Sequence, residues 1–453
     1  MAEIMTKART LNRLFCVRLI AFLGLAVCVL PAFADQSKRD SAAIDNAAMA
    51  PKVLAWRRDF HQHPELGNNE VRTAAIVAKH LQSLGMVVRT GIAHTGVSGI
   101  LKGARPGPRI VLRADMDALP VKEENDLAFA SKVTSSYRGQ PVGVMHACGH
   151  DAHVAILMAV AEILSAKRAG LAGEVMFVFQ PAEEGPPEVG QPFGAALMLE
   201  EGVFKDFKPD AVFGLHVWAA LPVGKVGYRS GPTMAAADEW TLRINGRQSH
   251  GSRPWDSVDP IMVAAQIQIA AQSIIARQID IVRSPVVLTT GAIMGGVRYN
   301  IIPDHVDMTG TLRTFDPAVR LDVIKRFERI AQSIAQASDA SAELRVSITA
   351  PLTANDAKLT EQGGASLRRV LGDADVVEMP LLTIAEDFSQ YSTVAPTFFY
   401  FVGSTSPEID ASKAPSNHSP LFMLDERALM IAVNTLTQVS LDALKAGVSE
   451  NKK

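Results

Sequence analysis

Four short stretches of this chain hold side chains that could do chemistry together. The densest is His146-Ala147-Cys148-Gly149-His150-Asp151-Ala152-His153, where a thiol and an imidazole two residues apart can converge on one cation from a loop leading into a helix. Zn²⁺, Mn²⁺, Co²⁺ and Ni²⁺ all accept such mixed donors. Gln180-Pro181-Ala182-Glu183-Glu184-Gly185 follows an apolar run. Adjacent carboxylates at the end of a buried strand are costly to desolvate unless a metal or another partner meets them. Neighbouring side chains point differently, so one can bind a metal while the other faces a substrate. Gly214-Leu215-His216-Val217 places an imidazole at a strand end, and Asn417-His418-Ser419-Pro420 places one in a late loop. Taken singly, each has a bland alternative: a solvated loop for the carboxylates, a satisfied core histidine for His216 and for His418, a buried structural thiol for Cys148.

With Arg113-Ala114-Asp115-Met116-Asp117-Ala118-Leu119-Pro120, these stretches occur in the order of the M20 metallopeptidase and amidohydrolase family. The chain resembles most the branch of hippurate hydrolases, N-acyl-amino-acid amidohydrolases and plant auxin-conjugate hydrolases, from about Pro51 to Leu444. The resemblance implies two divalent ions (Zn, Mn, Co or Ni) held by Cys148, His150, Glu184, His216 and His418, with Cys148 where the wider family has a bridging aspartate. Glu183 matches the family's general base. Asp117 matches a carboxylate that orients a neighbouring ligand, and such groups fix imidazole tautomers.

Further matches lie in Gln248-Ser249-His250-Gly251-Ser252-Arg253-Pro254, where His250 corresponds to a histidine that reaches toward the substrate carbonyl. Many relatives continue with small residues, proline and a second histidine; this chain has Arg253-Pro254-Trp255 instead. Asn300 and Arg313 resemble positions that hold the carboxylate of the substrate's amino-acid part, a task suited to arginine's planar fork. A solvated strand arginine is the alternative for Arg313. The implied activity is hydrolysis of the amide of a small-molecule N-acyl amino acid. A metallo-carboxypeptidase or dipeptidase of the same family would carry the same motifs. An exported solute-binding protein would leave Glu183 and five convergent ligands without a task.

The elements that must position these residues follow an α/β pattern. Helical spacing covers Leu54 to Phe60, Val71 to Leu84, Ala155 to Leu164 and Ala195 to Glu201, and apolar strands cover Arg109 to Leu112, Glu174 to Phe179 and Ala211 to Val217. Open α/β sheets put their chemistry at such strand ends. Between about Met234 and Ala350 the order becomes βαββαβ, a ferredoxin-like unit, after which Thr397 to Val402 reads as a strand and Arg427 to Leu444 as a closing helix. The expected organisation is a catalytic domain over 35–232 and 351–453, with an inserted lid and dimerisation domain over 233–350. Family resemblance and base rates both favour a symmetric homodimer.

Composition agrees with an ordinary globular protein of 453 residues, 48% hydrophobic and 20% charged. With 45 basic and 47 acidic side chains, no basic surface suited to nucleic acid is expected. Lys7, Arg9, Arg13 and Arg18, the apolar run Leu19 to Leu30 and Ala32-Phe33-Ala34 describe a signal peptide over residues 1–34. The run is short for a bilayer, which needs roughly 20 residues, so export without a lasting membrane span is expected. Cys16 and Cys28 would leave with the signal and Cys148 would remain as the lone thiol.

Overall fold

The computed structural model describes residues 46–450, and the expected signal peptide over 1–34 lies outside them. An eight-stranded sheet forms the body. Its order is Val87–Ile92, Gly96–Lys102, Ala172–Gln180, Arg105–Asp115, Ala211–Pro222, Thr397–Thr405, Val226–Tyr228 and Val376–Glu378. The four central strands run parallel. Both faces are covered, which is why these strands read as continuous apolar runs. Ile110 and Leu112 pack with Val53, Leu157 and Val433 of the helices on one face, while Val111 between them packs with Met198 and Phe388 on the other.

The second sheet spans residues 236–350 and has its own core. Its strand order is Val286–Met294, His305–Thr314, Ala236–Asn245, Ser341–Ala350, antiparallel throughout, the ferredoxin-like arrangement. Trp240, Leu242 and Ile244 point inward with exposed residues between them, the alternation of a sheet buried on one face. Helices Pro260–Arg277 and Pro317–Gln336 cover that face. Each starts with a proline behind an aspartate cap: Asp259 accepts from the Ile261 N–H at 2.9 Å and Asp316 from the Ala318 N–H at 2.7 Å. Gly231–Met234 pairs with Thr353–Asn355 where the chain enters and leaves this part.

Two departures from the sequence reading bear on the site. The helix expected from Ala155 begins at His150 and runs to Ala166; His150, Asp151 and His153 in its first turn masked its start. The outer strands Val87–Ile92, Gly96–Lys102, Val226–Tyr228 and Val376–Glu378, and the helix Ala357–Leu371, were not expected. Glycines and short lengths hide these strands, and Gly363 with Gly364 interrupts the helical pattern.

Candidate metal centre

The candidate residues collect at the carboxyl ends of the central parallel strands. Gly149 turns the chain between Cys148 and His150 with φ of 92°, and a Cβ there would overlap the Val217 side chain, so the approach of the two segments requires glycine. Cys148 Sγ lies 3.3 Å from His216 Nε2 and 3.2 Å from His418 Nε2. His418 Nε2 is also 2.7 Å from Glu184 Oε1. His150 turns Nδ1 toward the Asp117 carbonyl at 2.9 Å and the Asp117 carboxylate at 3.1 Å. His216 Nδ1 donates to the Val217 carbonyl at 2.6 Å.

Those anchors decide what the opposite nitrogens can do. His150 Nε2 is buried without a hydrogen-bond partner, an arrangement that costs stability unless something outside the chain satisfies it. Three groups of donor atoms each lie within 4.8 Å of one another: Cys148, His150 and His216; Cys148, Glu184 and His418; His150, Glu183 and Glu184. Thiolate, imidazole and carboxylate in overlapping triads, two of which share Cys148, fit a pair of divalent cations. Asp115, His150 and His153 also lie close together, but His153 has no free nitrogen. Its Nδ1 faces Asp115 at 2.5 Å and its Nε2 accepts the Val217 N–H at 2.9 Å. His153 is therefore scaffold.

One buried guanidinium ties together three carboxylates beside the site. Arg113 donates to Gln180 Oε1 at 2.9 Å, Asp115 Oδ2 at 2.5 Å, Glu386 Oε1 at 2.9 Å and Asp387 Oδ1 at 3.1 Å. Burial works against ionised Asp115, yet His150 and Arg113 hold it well below the usual carboxylate range. Burial pushes Glu183 well above that range, and the carboxylates of Glu386, Glu184 and Asp387 push the same way. Such a group takes up a proton readily. Cys148 is raised by burial and by Glu184, and His418 is pushed up to about 10 by its contacts with Cys148 and Glu184.

The loop that carries Glu183 and Glu184 is pinned from two sides. Asp117 Oδ2 accepts the Glu184 N–H at 2.9 Å, and Glu70 Oε1 accepts the Ala182 N–H at 2.7 Å. Ala182 has φ of 49°, a left-handed backbone that neighbours must enforce. A cavity of about 330 Å³ opens beside these groups. Cys148, Glu183, Glu184, His216, Glu386 and His418 form its polar side; Trp218, Met234, Ile384 and Phe401 form an apolar wall.

Cys148, His150, Glu183, Glu184, His216, His418 and Asp117 thus come together. His250, Asn300 and Arg313 do not line the cavity. His250, exposed on the short strand Ser249–His250, accepts the Ser252 N–H at 3.1 Å, and the Gly251 N–H donates to the Asn300 carbonyl at 2.9 Å, so the segments of His250 and Asn300 pair with each other. Arg313 is on the strand His305–Thr314. The sequence reading assigned no role to Glu70, Arg113, Asp115, His153, Glu386 or Asp387. Arg113 and Asp115 stood in a quoted motif, and Glu386-Asp387 before an aromatic residue is a second adjacent acidic pair that could have been noticed.

An α/β body with a mixed-donor metal centre at its strand ends and a buried carboxylate beside it defines a metallohydrolase. The comparisons are specific. Residues 111–442 match the model of peptidase family M20/M25/M40. The chain is 42% identical over 293 residues to the N-acyl-L-amino acid amidohydrolase of Geobacillus stearothermophilus, covering 65% of this chain and 75% of that one. It is 39% identical over 381 residues to thermostable carboxypeptidase 1 of Saccharolobus solfataricus, covering 84% and 92%. Among solved structures it resembles a dinuclear metal-binding peptidase of the M20 family from Bacillus subtilis, with TM-score 0.74, 34% identity and coverage of 88% and 99%. The chain belongs to peptidase family M20/M25/M40 and is a hydrolase of amide bonds.

Proposed function

We propose that this protein is a metal-dependent amidohydrolase that splits N-acyl amino acids into a carboxylic acid and a free amino acid. Cys148, His150, Glu184, His216 and His418 would hold two divalent cations, from Zn, Mn, Co or Ni. Bound there, the ions would polarise the scissile carbonyl and lower the pKa of water. Glu183 takes a proton from the attacking water and returns it to the leaving nitrogen, the role of a carboxylate poised above its ordinary range. Arg113 holds Asp115, Glu386 and Asp387 in place while Glu183 changes state, and it favours their ionised forms against the burial that raises Glu386 and Asp387.

The observation that carries the substrate reading is the apolar lining of Trp218, Met234, Ile384 and Phe401 in the cavity that Glu183 also lines. A neutral acyl group loses little on leaving water against such a wall, whereas the ammonium of a free dipeptide would lose its hydration. A panel of N-acyl glycines and free dipeptides tests this. Benzoyl or phenylacetyl conjugates should exceed the acetyl conjugate at least about tenfold in kcat/KM, the scale set by apolar pockets. Faster cleavage of free dipeptides would favour the second reading, a carboxypeptidase or dipeptidase, which has in its support the carboxypeptidase relative above.

Residues 233–350 act as a lid in this reading, delivering His250 to the oxyanion and Arg313 with Asn300 to the substrate carboxylate. The separate core of this part supports it. Homodimerisation through the same part is supported by the exposed apolar side chains Ile261, Met262 and Ile269 on its first helix. Export, to a periplasmic or secreted location, rests on residues 1–34; a mature amino terminus at Asp35 is the result to look for. No helix among the described residues is long and apolar enough to cross a membrane.

A further inference from the structure

The loop that carries His418 adopts a backbone its sequence would not choose. His418 has φ of 72°, and a side-chain-bearing residue stays in that region only where its surroundings enforce it. One enforcing contact is the His418 N–H, which donates to the Ala147 carbonyl at 2.8 Å. The others come from the residue before it. Asn417 Oδ1 accepts the Ala219 N–H at 3.1 Å, while its Nδ2 donates to the carbonyls of Cys148 at 3.1 Å and Val217 at 3.2 Å. These partners also fix the orientation of the amide. Turned over, it would set Nδ2 against an N–H and Oδ1 against two carbonyls.

One carboxamide therefore joins three segments that are distant in sequence and that each bring a metal-ligand candidate. It grips the backbone of Cys148 itself. It grips Val217, whose carbonyl also receives His216 Nδ1. It is the chain neighbour of His418. None of the proton transfers above uses it.

We propose that Asn417 is a positioning residue of the metal centre, setting Cys148 Sγ, His216 Nε2 and His418 Nε2 in place before a cation arrives. The proposal rests on the metal-centre reading above. Two variants of the full chain test it. Asn417→Leu keeps the volume and loses all three bonds; Asn417→Ser keeps a hydroxyl that can make part of them. Zinc-loaded protein is titrated with a chromogenic chelator, the metal-free form is melted, and kcat and KM are measured at saturating zinc.

The expected result is zinc retention weakened by about 10–100-fold in Asn417→Leu, the range seen when groups behind metal ligands are removed. Asn417→Ser should fall between Asn417→Leu and the parent. Melting of the metal-free protein should fall by much less than the loss of zinc retention implies, and KM should stay near the parent's. Retention equal to the parent's in both variants would overturn the proposal alone. So would weaker retention that tracks an equal loss of metal-free stability, which marks a general structural role. A raised KM with full retention would overturn it too and make Asn417 a substrate contact, since it lines the cavity. A parent chain that retains no zinc would overturn the metal-centre reading and this proposal together.

Discussion

At the scale of single residues the site separates into groups that change protonation and groups that hold them. Glu183 lines the cavity beside the donor atoms and is pushed well above the carboxylate range; Glu386 is also raised and lines the cavity, but is held by Arg113. Glu183→Gln keeps the shape and cannot move a proton, so kcat should fall by about 10²–10⁴-fold while metal content stays unchanged; near-parental turnover with intact metal would remove Glu183 from the chemistry. The neighbours give a second, signed expectation. Activity requires Glu183 ionised, so it rises with pH through the pKa of that group. After burial, the nearby Glu386 carboxylate is the largest cause that raises it. Glu386→Gln removes that negative charge and should move the acid limb of the kcat/KM profile to lower pH. An acid limb that moves upward or stays in place would contradict the assignment.

At the scale of elements, the helix His150–Ala166 carries most of the burden. Its first turn presents His150 to the site and Asp151 to the opposite side, where a buried network receives it. Arg57 Nε donates to Asp151 Oδ2 at 2.9 Å, and His61 Nδ1 lies 2.8 Å from the same oxygen. Burial alone would raise Asp151, but Arg57 and His61 hold it far below the carboxylate range. Asp151→Asn leaves the Arg57 charge buried with Glu426 at 3.4 Å as its remaining carboxylate partner. Removing one partner of a buried pair costs about 3–5 kcal/mol, and denaturant unfolding near neutral pH should show a loss of that size. Because the folded-state pKa of Asp151 is depressed, its contribution is present above the ordinary carboxylate pKa and fades as pH falls. The gap between parent and variant should therefore narrow in acid; a gap independent of pH would contradict the pairing.

The same helix shows what the sequence revealed and what it hid. Cys148, His150, Glu183, Glu184, His216 and His418 stood in short motifs whose order resembles that of the M20 family, and that resemblance, rather than local spacing, joined them; singly, His216 and His418 read as satisfied core histidines. The central strands and the ferredoxin-like order were readable from the chain itself, since burial on two faces or one leaves different periodicities. Arg113, Asp387 and Glu70 were not readable as a network. Their partners lie up to 274 residues away, and local spacing carries no signal for such pairings. Short outer strands such as Val226–Tyr228 are likewise set by what they pair with rather than by their own residues.

At the scale of the whole molecule, the body with the donor cluster meets a smaller part that carries His250, Asn300 and Arg313. If that part closes as a clamp, its residues have separable effects. Arg313→Lys should raise KM for substrates with a free α-carboxylate far more than for the matching amides, because lysine loses the paired N–H bonds. His250→Ala should act mainly on kcat, since the oxyanion exists only after attack. Equal weakening of acids and amides by Arg313→Lys would place the carboxylate pocket elsewhere. A cation that binds only the folded body should raise the melting temperature with its concentration, and its uptake should release protons because His418 and Cys148 must give theirs up to bind it.

The most direct measurement is the release of free glycine from N-benzoylglycine by the purified protein, with metal per chain determined on the same samples before and after chelation. Hydrolysis should accompany about two divalent ions per chain, vanish on their removal and return when Zn²⁺, Mn²⁺, Co²⁺ or Ni²⁺ is restored. Hydrolysis that persists in metal-free protein, or a metal-loaded protein that releases no glycine from any N-acyl conjugate of the panel, would contradict the account.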